Sequence, residues 1–430
     1  MLSAAVRASI VEMAAILGMA ALLLWPTASA GQEAAAGEDA VRVRLMDRQA
    51  PEQSYLRAEG GPLQLMTPVE NERLLTIAPG ETFLLGTRGA EVYARQGARG
   101  LYAPGLYVAP SDGARWSLSP SEDGPYRSYG GTLLVTTDPA SPEVLQLVNG
   151  IALEDYVASV VASEYTLDDQ EGAKAMAVVA RTYALRTTGK FGDAYQHVDH
   201  TRSQLYGGLN AITPAARQAA RATRGEVLTY DSRLVEAVYF SSSGGHTANN
   251  EDVWDADTAK PYLRGKKDPY DTQSPHQRWT ATVLRTALLN ALSAHHDMTV
   301  EGFLIDERSE DGRVQTIELL TPSSDTPTMR ANNFRLLLNE QFPEAALKST
   351  LFEARRVGDR YVFEGRGYGH GVGLSQWGAH AMAEQGGSYR DILSFYYTGA
   401  TIQTLDSVDA TAPLAQTPAP ESTDTRRIGW

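Results

Sequence analysis

One change of character divides this chain. From residue 41 to residue 148 the sequence comes in short apolar runs cut by Gly, Pro and polar residues, which is the signature of strands. Val41-Arg42-Val43-Arg44-Leu45 alternates with period two, and residues 81–85 (ETFLL), 105–108 (GLYV), 132–136 (TLLVT) and 144–148 (VLQLV) repeat the theme. Residues 171–186 (EGAKAMAVVARTYALR) are then Ala-rich, lack Pro and hold Gly only near their start, so they predict a helix. Strands first and helices mixed with hairpins afterwards predict an α+β fold, not an alternating parallel sheet.

The later elements follow from local signals. Thr213-Pro214 supplies an N-cap and a first-turn proline for a helix running to Arg224, closed by Gly225. Residues 227–230 and 235–240 flank Asp231-Ser232 as a hairpin. Residues 281–292 are Leu-rich without Pro or Gly and predict a helix. A strand at 313–320, a helix at 334–338 and a strand at 361–364 lead to a glycine-rich turn, 365–373. A helix at 374–384 stops at Gly386-Gly387, and Ser388 with Asp391 reads as a capping box. The division expected is a signal peptide at 1–30, a strand-rich N-terminal domain at 31–125, a mixed helix and hairpin core at 126–402 and a disordered tail at 403–430.

Composition narrows the function classes. With 38 basic and 52 acidic residues the net charge is −14, which argues against a general binder of nucleic acid or anionic membrane. The absence of cysteine removes thiol nucleophiles, disulfides and cysteine-held metals. Tyrosine (20) far outnumbers phenylalanine (9), which suits a polar, ring-shaped ligand such as a sugar, and half-exposed β-structure equally. The apolar run 13–25 ends at Pro26, and Ala28-Ser29-Ala30 fits a cleavage site. The expected product is secreted or periplasmic, with no stable membrane span after processing.

Four blocks then stand out in order: residues 149–156 (NGIALEDY) running into 160–164 (VVASE); 177–183 (AVVARTY); 241–246 (SSSGGH) with 251–254 (EDVW); and 365–378 (GRGYGHGVGLSQWG). Together they resemble the SpoIID/LytB family, sporulation protein D-like lytic transglycosylases and amidase enhancers, over residues 126–402. The resemblance implies an enzyme that cleaves peptidoglycan glycan strands already stripped of stem peptides. It places Glu164 at the position of the family's essential glutamate, although the two prolines and the Met of the family's Pro-Ser-Glu-Met-Pro segment are missing here. It also matches the family's lysine and arginine to Lys174 and Arg181.

The residues carry their own reading. A lytic transglycosylase needs one carboxylic acid that protonates the glycosidic oxygen and then deprotonates the 6-hydroxyl; a second carboxylate is dispensable if the substrate's N-acetyl group assists. Glu164, between Val160-Val161 and Tyr165, has the apolar neighbours that raise such an acid's pKa. Lys174 and Arg181 fall two turns apart on one helix face, where they suit the lactyl carboxylate of stripped muramic acid or, equally, an internal pair of Glu171 with Lys174. Ser242, Ser243, Gly244 and Gly245 read as a loop lending hydroxyls and N–H groups to a sugar, with no nucleophile elbow among them. His370 and Gln376 in the glycine-rich block are further substrate contacts, His370 by hydrogen bonding Glu164 or the sugar, with a buried structural histidine as its alternative. No cofactor is expected; zinc held by His197, Asp199 and His200 is the lesser alternative. Three functions stay open: a lytic transglycosylase on denuded strands, a non-catalytic enhancer partnered with an N-acetylmuramoyl-alanine amidase, and a metal-dependent hydrolase.

Overall fold

The computed structural model describes residues 40–187, 189–254, 258–323 and 326–408; the expected signal peptide and the tail from 409 onward lie outside them. The described residues form two compact units, one reaching to Glu164 and taking in 187–213, the other holding 165–186 and continuing from Pro214. This division follows packing, whereas the boundary at 125/126 marks a change of sequence character. The fold is α+β, with the strand-rich part first. Among the described residues no helix is long and apolar enough to cross a membrane.

Alternation builds the first unit. Ala40–Leu45 points Val41, Val43 and Leu45 inward and leaves the residues between them half-buried. It pairs antiparallel with Ser141–Ala152, whose other edge takes Thr132–Asp138. These strands centre a seven-stranded sheet, and a six-stranded antiparallel sheet accompanies it. Trp116 is fully buried, stacks on Tyr129 at 4.8 Å and donates its indole N–H to Gly131 O. Helix α1 (Leu153–Glu164) continues directly from Ser141–Ala152.

The second unit opens with helix α2 (Gln170–Arg186). Helix α3 (Pro214–Ala222) ends two residues earlier than expected, and a turn leads to Gly225 at φ 71°. The hairpin forms with Asp231 and Ser232 both at positive φ, but its second strand is only Arg233–Leu234. Tyr239–Phe240 instead pairs in parallel with Leu374–Ser375. That pairing removes two residues from the helix expected at 374–384; α7 is Gln376–Glu384, N-capped by Ser375, and is introduced by the short helix α4 (Asn250–Val253), α5 (Arg285–His296) and α6 (Ala331–Gln341). The helix expected at 281–292 is half strand: Trp279–Leu284 buries Trp279, Ala281 and Val283 with period two, and the helix begins at Arg285. Helix α8 (Tyr389–Tyr396) starts on the expected Ser388/Asp391 capping box. Thr401–Thr404, placed in part in the expected tail, is a strand on Glu226–Tyr230.

Two cores support this unit. One lies within residues 279–363, where Trp279, Leu288, Phe303, Phe334 and Phe363 pack between two three-stranded sheets and helices α5 and α6. The other gathers Val178, Val179, Leu228, Leu374, Ile392 and Tyr397 around α2, α7 and α8.

Candidate functional site

The residues singled out from sequence divide between the units. Glu164 belongs to the first, and Lys174, Arg181, the 242–245 loop, His370 and Gln376 belong to the second.

In the first unit Glu164 is the last residue of α1, half-buried beyond the buried Val160 and Val161. Its Oε1 accepts the Leu205 N–H at 2.8 Å. The segment that supplies this donor is fixed along α1: Tyr156 donates its hydroxyl to Gln204 Oε1 (3.2 Å) and Ser159 to Gly208 O (2.8 Å). Tyr206 donates to Asn149 Oδ1 (2.8 Å), and the Asn149 amide donates in turn to Gly130 O and Thr132 O. Asn149 begins the first block, so one buried network links that block to Gln204 and Tyr206. Gly208 has φ 76°, and a Cβ there would lie 2.4 Å from Ser128 O, so this close turn requires glycine. The outcome is a carboxylate whose Oε1 is held by a backbone donor.

The histidine cluster beside this segment is otherwise engaged. His200 Nε2 lies 2.8 Å from Asp47 Oδ2, and Asp199 accepts the Met46 N–H (2.8 Å) and the Asp47 N–H (3.4 Å). Burial pushes the Asp199 carboxyl above the usual range. His197 is buried and stacks on Tyr156 with centroids 5.7 Å apart. Among the described residues no three His, Asp or Glu side chains converge as metal ligands.

In the second unit, the residue after Glu164 is anchored. Tyr165 is buried and donates its hydroxyl to Asp169 Oδ2 at 2.6 Å; His380 Nδ1 lies 2.6 Å from the same oxygen. Asp169 Oδ1 accepts the Gly172 N–H, so this carboxylate also caps α2. A Cβ on Gly172 would lie 1.9 Å from the Tyr165 hydroxyl. Burial, then the Asp169 charge, pushes the Tyr165 phenol far up. Where the resemblance supplies prolines, this chain supplies a Tyr–Asp–His network. Sequence reasoning missed it, although an Asp just ahead of an Ala-rich helix is a capping signal.

Lys174 and Arg181 share a stripe of α2 but not a depth. Lys174 is half-buried, pairs with Glu171 at 2.6 Å and lies 5.9 Å over the Tyr389 ring. Arg181 is fully buried and donates to Glu226 O (3.0 Å), Ala220 O (3.2 Å) and Ala177 O (3.4 Å). These bonds brace α2 against α3 and the strand Glu226–Tyr230.

The serine hydroxyls of the 242–245 loop lie deep as well. Ser242 and Ser243 are buried, and Ser242 donates to Asp271 Oδ2 at 2.8 Å. The Gly244 N–H donates to the same oxygen (2.9 Å), and Arg313 donates to Ser243 O (2.9 Å). Asp268 accepts the Tyr396 hydroxyl at 3.0 Å. Burial raises the carboxyls of Asp268 and Asp271, and each feels Ser243 as a partner that opposes the rise. The exposed part of the loop is Gly245, beside half-buried His246. Ser242 exchanges backbone hydrogen bonds with Tyr368 (2.8 and 3.0 Å), so the serine loop and the glycine-rich loop are joined. His370 accepts the Val372 N–H at Nδ1 (3.1 Å) and packs against Phe240 and Trp254. Burial pushes its pKa down to about 3, so the ring is neutral. Gln376 is half-buried at the first position of α7.

Comparison with known proteins adds the following. Residues 142–230 match the family model for stage II sporulation protein, and residues 252–373 match a domain of unknown function, DUF8618. The chain is 33% identical to stage II sporulation protein D of Bacillus subtilis (strain 168) over 279 residues, covering 61% of this chain and 77% of that one. An uncharacterized protein of Brachyspira hyodysenteriae is 29% identical over 378 residues, 85% of this chain and 94% of the relative. The amidase enhancer of Bacillus subtilis (strain 168) is 31% identical over 277 residues, 54% of this chain and 38% of the enhancer.

Proposed function

The chain belongs to the SpoIID/LytB family, and from that premise we propose that it is a lytic transglycosylase acting on peptide-free peptidoglycan strands. Membership supports a role at the cell wall. The observation that carries the finer reading is the placement of Glu164, the counterpart of the family's acid, with Oε1 held by the Leu205 N–H. Protonated Glu164 gives its proton to the glycosidic oxygen, the C1–O bond of the muramyl residue breaks, and the N-acetylglucosamine leaves as an alcohol. The 6-hydroxyl then attacks C1, its proton passes to the Glu164 carboxylate, and a 1,6-anhydro ring forms without consuming water. Tyr165, Asp169 and His380 hold the start of α2, the element that follows the acid in the chain. Secretion through the N-terminal leader belongs to the same proposal.

Incubation of the purified protein with peptide-free strands, followed by mass spectrometry, tests it. Anhydro-muramic ends are expected from the parent and lost by at least ~100-fold in Glu164→Gln. Equal release by the variant, or reducing ends in place of anhydro ends, overturns the reading. The relative named amidase enhancer supports a second reading, stimulation of an amidase without cleavage; bound but uncut strands, together with faster amidase turnover, select it.

A further inference from the structure

Tyr368 is 44% exposed in a loop that is otherwise tightly built. Flanking it, the Gly367 N–H donates to His276 O and the Gly369 N–H to Lys348 O, both at 2.8 Å. Gly367 (φ 75°) and Gly369 (φ 107°) admit no Cβ: one would meet Ser242 O at 2.8 Å, the other Phe240 Cβ at 2.7 Å. The Tyr368 ring is thus presented by a rigid backbone, with the His276 ring edge-on at 4.9 Å and Lys348 Nζ 6.0 Å from its centroid.

Cationic side chains gather near this ring. Lys348 Nζ lies 3.1 Å from His276 Nδ1, and burial together with the Lys348 charge lowers the His276 pKa, so the neutral ring accepts. The half-buried Arg335 donates to Asn332 Oδ1 (3.0 and 3.3 Å), and burial lowers its pKa to about 10 against a raising contribution from Tyr368. Arg366 stands exposed one residue before Tyr368. Among the described residues none of these three cations has a carboxylate partner within ion-pair distance. In a chain of net charge −14, an acid-free cluster of cations around an exposed aromatic ring has a desolvation cost that an anionic ligand would offset.

We propose that Tyr368, Lys348 and Arg335, with His276 orienting the lysine, form a subsite for a carboxylate-bearing N-acetylhexosamine, the ring stacking on Tyr368 and the carboxylate taken by the two cations. The ligand class rests on the glycan reading above, in which stripped muramic acid keeps its lactyl carboxylate. Ring faces of tyrosine suit sugar C–H groups, and guanidinium with ammonium suits a carboxylate.

The test measures equilibrium binding of the full chain carrying Glu164→Gln, which prevents turnover, to soluble denuded glycan fragments and to chitohexaose, which lacks the lactyl group. Tyr368→Ala is expected to weaken both ligands by about tenfold, and Tyr368→Trp to retain them. Lys348→Met and Arg335→Met are each expected to weaken the denuded glycan by about tenfold, to flatten its salt dependence and to leave chitohexaose unchanged. Melting curves confirm that each variant is folded; Tyr368→Leu, Lys348→Gln or Arg335→Gln replaces the variant at the same residue where it is not. Unchanged binding in the Tyr368→Ala and Lys348→Met variants, or no binding by the Glu164→Gln chain itself, overturns the subsite. If the parent cleaves strands while the variants bind normally, the subsite alone falls. If the variants lose binding while the parent never cleaves, the subsite stands and the transglycosylase reading falls.

Discussion

The two units bury different things. In the first, the buried polar side chains are neutral amides and hydroxyls, such as Asn149, Gln204 and Ser159, with the ring nitrogens of His197 and His200. Among the described residues every buried Asp or Arg lies in the second: Arg181, Asp268, Asp271 and Arg313. A neutral group is satisfied by a nearby carbonyl or N–H, whereas a buried charge must find compensation in fixed geometry. Both units pack hydrocarbon, but among the described residues only the second adds fully buried Asp and Arg side chains, which tie its loops together.

Breaking a buried charge tests the contrast most severely. Arg313→Ala removes the partner of Asp311 and the donor to Ser243 O, and is expected to cost about 4 kcal/mol in urea unfolding. A loss under about 1 kcal/mol would erase the distinction between the units, because surface pairs are worth that much. In the first unit, Leu133→Ala in the central strand is expected to cost about 3 kcal/mol through the cavity it leaves. Gly172→Ala drives a Cβ into the Tyr165 hydroxyl and is expected to cost about 2 kcal/mol; a double-mutant cycle with Tyr165→Ala should recover part of it.

Acid should separate the units further. His370 has its folded pKa depressed to about 3, so its contribution to stability is complete above the ordinary histidine value near 6.5 and is lost as pH falls from there toward 3. Melting temperature should therefore drop over that window, and less steeply in His370→Gln. The smallest effect expected is that of Lys174→Ala, below about 1 kcal/mol, because its pair with Glu171 is partly exposed.

What the sequence made legible was local. Period-two alternation located Ala40–Leu45, alanine content located α2, and Ser388 with Asp391 located the start of α8, each within one element. The misplaced helix at 281–284 shows the limit: the alternation that makes it a strand begins at Trp279, outside the Leu-rich window. The four blocks identified the family and pointed to Glu164, but not to its donor, because Leu205 is 41 residues away. The serine loop was read as open hydroxyls because their acceptor, Asp271, lies 29 residues on, and the Arg313 brace 70 residues on. Arg181 looked like a free cation for the same reason, its carbonyl partners being 39 and 45 residues distant.

The parallel pairing of Tyr239–Phe240 with Leu374–Ser375 has a consequence for the order of folding. The core around α2 is incomplete until Leu374, Ile392 and Tyr397 arrive, so it must wait for nearly the whole chain. The intervening core does not wait, and once Trp279 is registered against Gly365 the loop still to be closed is shortened roughly threefold, worth about 1 kcal/mol of closure entropy. The segment matching the domain of unknown function thus acts as a splint in the native topology: the pairing of its ends brings the two halves of the outer core within reach.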